Sequence, residues 1–322
     1  MSVKSLSLLL GALLTAGGAA ADLVKVTPLG SHDGEFCRYD RALLFEDPNG
    51  TRLLYDAGRT VAGADDPRLG KVDVVLISHA HGDHLGDKHI PAPNSGECAS
   101  PDMSVAATPH SNSVRIAHAK QAHIVTGSEM PRFLGKQLAA LGGDANKSQL
   151  VRFGGERTVG GVAITTVPAT HSNGLAPNFI GGKLSELLEA AGVTAYVGPP
   201  TGYVLRFSNG LVAYLSGDTG ITAEQQAVVR DHYGARLAVI NIGDTFTTGP
   251  REAAYVINEL VQPAAVIASH ANELATRDGK VLPGTRTEQF MQASKVPVHV
   301  PISGATMAFA ASGQCVNGCA TQ

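Results

Sequence analysis

The sequence predicts an α/β fold, on three observations. Short β-branched runs, such as residues 72–77, 162–167 and 211–215, read as buried strands. Glycine and proline, 37 and 17 of 322 residues, suit many short turns rather than long helices. Polar loops carrying His or Asp follow several of the runs, at the strand ends where α/β folds place their chemistry.

Composition narrows the class. Hydrophobic content of 43% against 16% charged residues supports a sizeable core in one large domain or two small ones. A formal charge of -3 offers no basic field for nucleic acid. Tryptophan is absent and aromatics are few, so base-stacking platforms are not expected. Lys4, the apolar run 6–14 and Ala19-Ala20-Ala21 read as a secretory signal cleaved after Ala21, leaving a domain over 22–322 in the periplasm or secreted. The run is too short to span a bilayer well, so no stable membrane insertion is expected after cleavage. Export makes Cys37, Cys98, Cys315 and Cys319 disulfide candidates with three possible pairings. Cys315 and Cys319 are close enough to close a small loop, leaving Cys37 with Cys98. The rival is a Cys-x-x-x-Cys metal site, which is poor on two ligands alone.

In chain order, 23–28 begins as an alternating strand. Residues 41–45 and 51–55 flank Asp47-Pro48-Asn49-Gly50, a hairpin signal, and the second strand ends at Asp56. The run 72–77 leads into Ser78-His79-Ala80-His81-Gly82-Asp83-His84. Three imidazoles and a carboxylate so close together are costly for structure alone, and they are donors suited to zinc and similar cations. A solvated histidine-rich loop is the competing reading. His79 and His81 alternate and converge on one ion, while Asp83 and His84 reach a second. Residues 90–109 read as a surface insertion near the site. Helices are expected at 113–120 and 130–141, the latter stopped by Gly142-Gly143, with a strand at 122–125 between them. The strand 162–167 ends in a polar loop holding His171. His110 is the competitor for that position, His118 falls on a helix, and His123 lies within a strand. Residues 175–202, with a helix at 184–191 and with Asn178, Phe179, Tyr196 and Tyr203 in or beside it, suit a pocket wall or lid. A surface helix packed on a loop is the equal alternative. A hairpin over 203–215 turns at Asn209-Gly210, which suits a type I′ turn, and runs into Asp218. Thr222 and Gln225 are spaced as a capping box. Strand 237–242, a helix from Pro250 to Leu260, and strand 264–268 follow, the last ending at His270.

The fully occupied His-x-His-x-Asp-His pattern at 79–84 resembles the signature of the metallo-β-lactamase superfamily. The resemblance implies an αββα sandwich: two mixed β-sheets flanked by helices, with a metal site along one edge. It implies that His79, His81 and His171 hold one ion, that Asp83, His84 and His270 hold another, and that Asp218 bridges them. Asp56 is expected to support the site from behind. Two Zn2+ ions are the default cofactor, with Mn2+ or Fe suited to the same donors. A hydroxide between the ions would attack a lactone, ester, phosphodiester or sulfate ester of a small-molecule substrate, with Asp83 also a candidate for handling a proton. Ile242-Gly243-Asp244, Thr247-Thr248-Gly249-Pro250 and Ala268-Ser269-His270 are similar to the ascorbate-phosphate-lactonase-like branch. An aspartate bridge argues against β-lactam hydrolysis, and an exported acidic chain argues against tRNA processing. The rival from another class is a periplasmic metal- or ligand-binding protein of this fold without turnover.

Overall fold

A computed structural model describes residues 22–319; the expected signal segment, 1–21, lies outside them. Apolar residues occupy both faces of the central strands, so both faces must be covered. In Leu43–Glu46, Leu43 and Phe45 point into one cluster and Leu44 into another. In Val74–Leu76, Val74 and Leu76 share the first cluster and Val75 the second. That alternation builds two mixed sheets face to face, with helices outside. The eight-stranded sheet runs in the order Ser148–Leu150, His123–Thr126, Val74–Leu76, Arg52–Tyr55, Leu43–Glu46, Val24–Pro28, Met307–Phe309, Cys315–Asn317. The seven-stranded sheet runs Glu156–Val159, Val162–Pro168, Thr201–Arg206, Val212–Leu215, Leu237–Asn241, Ala265–Ser269, Val298–His299. The shared core lies between them, with Leu53, Tyr55 and Val125 meeting Ile164, Tyr203, Leu215 and Val239. Helices Asn112–Ala119 and Met130–Ala140 cover one outer face, and Pro250–Tyr255 with Arg286–Ala293 the other.

The expected elements form close to their places, with local differences. The Asn209-Gly210 turn is not type I′: only Gly210 has positive φ, and its N–H donates to the Phe207 carbonyl at 2.9 Å. This is a type I turn closed by a left-handed glycine, the other common hairpin solution. The capping box is half made. Gln225 Oε1 accepts from the Thr222 N–H at 3.0 Å, but the Thr222 hydroxyl has no partner and the helix that follows, Gln225–Arg230, is wound as a π-helix. The helix begun by Pro250 likewise widens into a π-helix over Val256–Val261. The structure pairs Cys37 with Cys98 and Cys315 with Cys319.

The lid reading of 175–202 is not what the structure shows. Leu175, Phe179 and Val197 pack with Met130 and Leu134 beside the first sheet, and Tyr203 is fully buried between the sheets. Tyr196 is exposed, and none of these residues lines the cavity that carries the His/Asp cluster.

Candidate metal centre

Four strand ends converge on one edge of the sandwich. Past Val74–Leu76 the chain reaches His79 and then winds Gly82–Leu85 into a single helical turn, with His81 as its N-cap residue. This turn carries Asp83 toward His270, while the His84 ring stays beside His79, their centroids 4.1 Å apart. The opposite sheet contributes His171, Asp218 and His270 from the ends of Val162–Pro168, Val212–Leu215 and Ala265–Ser269. His270 has φ 50, a left-handed backbone that is unusual off glycine and that directs its ring into the cluster. Gly58 makes the approach of the Asp56 loop possible. A Cβ there would overlap the Asp83 carbonyl oxygen, and the Gly58 N–H donates to the His84 carbonyl at 3.1 Å.

Asp218 lies at the centre. Its Oδ2 is 3.1 Å from His270 Nε2, 3.3 Å from His84 Nε2, 3.8 Å from His171 Nε2 and 3.9 Å from His79 Nε2. Asp83 Oδ2 is 3.6 Å from His270 Nε2 and 3.7 Å from His84 Nε2. His79 Nε2 faces His81 Nδ1 at 3.0 Å. The donors fall into sets within 4.8 Å of one another: His79 with His81 and His171, His79 with His84 and Asp218, and Asp83 with His84 and His270. All seven residues expected from the sequence are therefore brought together. His110 is not: its Nδ1 sits 2.5 Å from Gln137 Oε1, on the helical side of the first sheet. Replacing His110 with alanine is expected to leave metal content unchanged by elemental analysis; loss of an ion would return it to contention with His171.

Electrostatics separate the donors. Burial pushes His79 well below its usual range, and the neighbouring His84 adds to this. Burial, then mutual repulsion, lowers His81, and burial lowers His171. These three rings are neutral at neutral pH, with lone pairs ready for a cation. His84 behaves oppositely. Burial opposes its charge, but Asp218, Asp83 and Asp56 outweigh it and raise the ring to about 10. Burial also opposes ionisation of Asp218, yet the facing His270 and His84 hold it well below the usual carboxylate range. The buried His84 Nε2 has no hydrogen-bond partner. A tight group of imidazoles and carboxylates with such an orphaned nitrogen fits a metal ion of the zinc, manganese or iron type.

Asp56 sits behind the cluster. Its Oδ1 accepts the Ser78 N–H at 2.8 Å, and its Oδ2 accepts the Ser78 hydroxyl at 2.7 Å and His84 Nδ1 at 2.8 Å. Ser78 Oγ in turn lies 3.0 Å from His79 Nδ1, so one carboxylate orients two rings. Two residues had no signal in the sequence. Buried Asn173 ties the loops together, accepting the Ala80 N–H at 2.7 Å and donating to the Gly198 carbonyl at 2.8 Å. Arg41 reaches Asp83 Oδ2 at 2.9 Å and His270 Nε2 at 2.7 Å.

The cluster forms the floor of an open cavity of about 560 Å³, walled by Arg38, Tyr39, Ser172, Phe246, Asn272 and Arg286 among others. Such a volume accepts a small molecule.

The beta-lactamase superfamily domain matches residues 51–271 of the chain. The chain is 29% identical to a UPF0173 metal-dependent hydrolase of Koribacter versatilis over 252 residues, 77% of this chain and 87% of that protein. It is 31% identical to one of Thermodesulfovibrio yellowstonii over 245 residues, 73% of this chain and 76% of that protein. In structure it resembles a metallo-hydrolase of the archaeon Ignicoccus hospitalis, with TM-score 0.57 and 22% identity, covering 89% of this chain and 98% of that one. The fold is that of the metallo-β-lactamase class. The chain belongs to the beta-lactamase superfamily, among its UPF0173 metal-dependent hydrolases.

Proposed function

We propose that the protein is an exported hydrolase of a small lactone, ester, phosphodiester or sulfate ester, working at a zinc centre, with manganese or iron as substitutes. The observation that carries this reading is the convergence of three imidazoles, His81 and His171 lining the open cavity and His79 buried behind them. The family resemblance implies two ions sharing Asp218; in this reading the chemistry belongs to the position formed by these three rings. An ion there supplies an acidified water and a positive charge for the oxygen on which negative charge builds.

The chain's own residues do the rest. His79 is fixed by Ser78, and His81 Nε2 is 3.3 Å from Ser172 Oγ. Asp218 places its anion among the imidazoles. Partial burial opposes ionisation of Asp83, but Arg41 and then His84 hold it well below the usual carboxylate range, which makes it a weak proton acceptor. Its part in this reading is that of a fixed anion; handling a proton is the lesser of the two roles expected of it, beside metal ligation. The two disulfides, which persist in oxidising compartments, support export.

The test is to load purified protein with zinc or manganese and assay chromogenic esters, phosphodiesters, sulfate esters and lactones. Turnover on at least one class, abolished by a chelator and restored by the ion, is expected. Because His79, His81 and His171 are all shifted downward, ion uptake should hold across neutral pH and weaken only as protons compete in acid. Silence across the panel with ion bound would favour the binding protein without turnover.

A further inference from the structure

Arg41 is buried, with 3% of its side chain exposed, and its Nη2 meets three groups at once: Asp83 Oδ2 at 2.9 Å, His270 Nε2 at 2.7 Å and Asn272 Oδ1 at 3.1 Å. A guanidinium is always protonated and only donates. Against a group that only donates, His270 Nε2 can only accept, at 2.7 Å, although Asp218 Oδ2 lies 3.1 Å from the same atom; an oxygen of Asp83 is engaged by the same guanidinium nitrogen. With His84, these are the donors expected to hold a second ion beside Asp218. His270 cannot present one lone pair to a guanidinium and to a metal cation together.

Arg41 is also held where it is. Its Nη1 donates to the Tyr39 carbonyl at 3.1 Å. Next to it, the buried Asp40 carboxylate accepts the Ser31 and Cys37 N–H groups, each at 2.8 Å. Cys37 is joined to Cys98, whose carbonyl accepts the Arg38 N–H at 3.3 Å. These contacts fix the backbone that presents the guanidinium. Charge points the same way. The carboxylates of Asp56, Asp83 and Asp218 already have the Arg41 guanidinium and the His84 ring beside them. A second dication would add two further positive charges to a largely buried site.

The geometry points to a centre that holds one ion, at His79, His81, His171 and Asp218, with the Arg41 guanidinium as a built-in cation in place of the second. The inference rests on the reading of the three-histidine position as a metal site. Arg41 lends positive charge to the cavity floor without acidifying a water, and it withholds Asp83 and His270 from any further ion.

The test counts ions rather than activity. Metal-free protein is titrated with cobalt(II) and followed by visible absorption, with zinc content measured by elemental analysis after reconstitution. The wild-type protein is expected to saturate at one equivalent. Arg41→Ala, which frees the donors, should saturate at two, and Arg41→Lys, which keeps a cation, at one. Saturation of the wild type at two equivalents overturns the inference while leaving the metal centre intact, as does a one-equivalent Arg41→Ala. No binding by folded wild-type protein overturns the metal reading itself. Should Arg41→Ala fail to fold, His270→Ala decides. A one-ion centre keeps its equivalent and its cobalt spectrum, whereas a two-ion centre falls from two to one.

Discussion

Replacing Asp218 with alanine is expected to strip the centre of metal and lower turnover by about 10³-fold or more, the scale on which a preorganised electrostatic group acts. The carboxylate is 4% exposed and faces four imidazoles through one oxygen, between 3.1 and 3.9 Å away. Without it, those rings face one another with Asp83 in front and Asp56 behind His84, and a dication loses its main compensating charge. His79, His81 and His171 still present nitrogen donors, so weak uptake should survive at high ion concentration. Elemental analysis after dialysis and a turnover assay at saturating zinc separate the two effects. Full metal content with wild-type turnover would remove Asp218 from the centre.

Much of this site was legible because its donors obey a local rule. Each follows a short β-branched run and sits where polar residues have no reason to be for packing alone. The fold followed from the same runs once the resemblance at 79–84 supplied two sheets, and the alternation in Leu43–Glu46 shows why both faces read as apolar. Arg41 had no such signal. It precedes a strand in Tyr39-Asp40-Arg41, and only the closing of the second sheet brings His270, 229 residues away, onto its guanidinium. Asn173 was hidden for a similar reason: its partners Ala80 and Gly198 lie on other loops. The stretch 175–202 left two readings open because a flap over a cavity and an insertion packed beside Met130 and Leu134 share one composition. The π-helical segments and the left-handed Gly210 turn are decided by packing and by single dihedral angles, on which the local pattern is silent.

Asp56 should show an effect on ion binding and stability that depends on the replacement. The carboxylate is 1% exposed and accepts three hydrogen bonds, from the Ser78 N–H, the Ser78 hydroxyl and His84 Nδ1. Asp56→Ala leaves those donors buried without an acceptor, and a loss of about 3–5 kcal/mol of stability is expected, as for a broken buried ionic contact. Asp56→Asn keeps the shape and tolerates the left-handed backbone at φ 42, so most of the stability should remain. Its amide, however, can present only one oxygen. With that oxygen on the Ser78 N–H, the NH2 group donates toward Ser78 Oγ and His84 Nδ1, reversing both hydrogen bonds. Ser78 then turns its own proton to His79 Nδ1, and the proton of that ring moves to Nε2, the nitrogen that faces Asp218. Ion affinity should fall about 10- to 100-fold, the usual cost of losing a partner behind a metal ligand. Thermal melting of the metal-free proteins and zinc competition against a chromophoric chelator give the two readouts. An Asp56→Asn protein that binds zinc as tightly as the wild type would show that neither ring depends on this carboxylate for its tautomer.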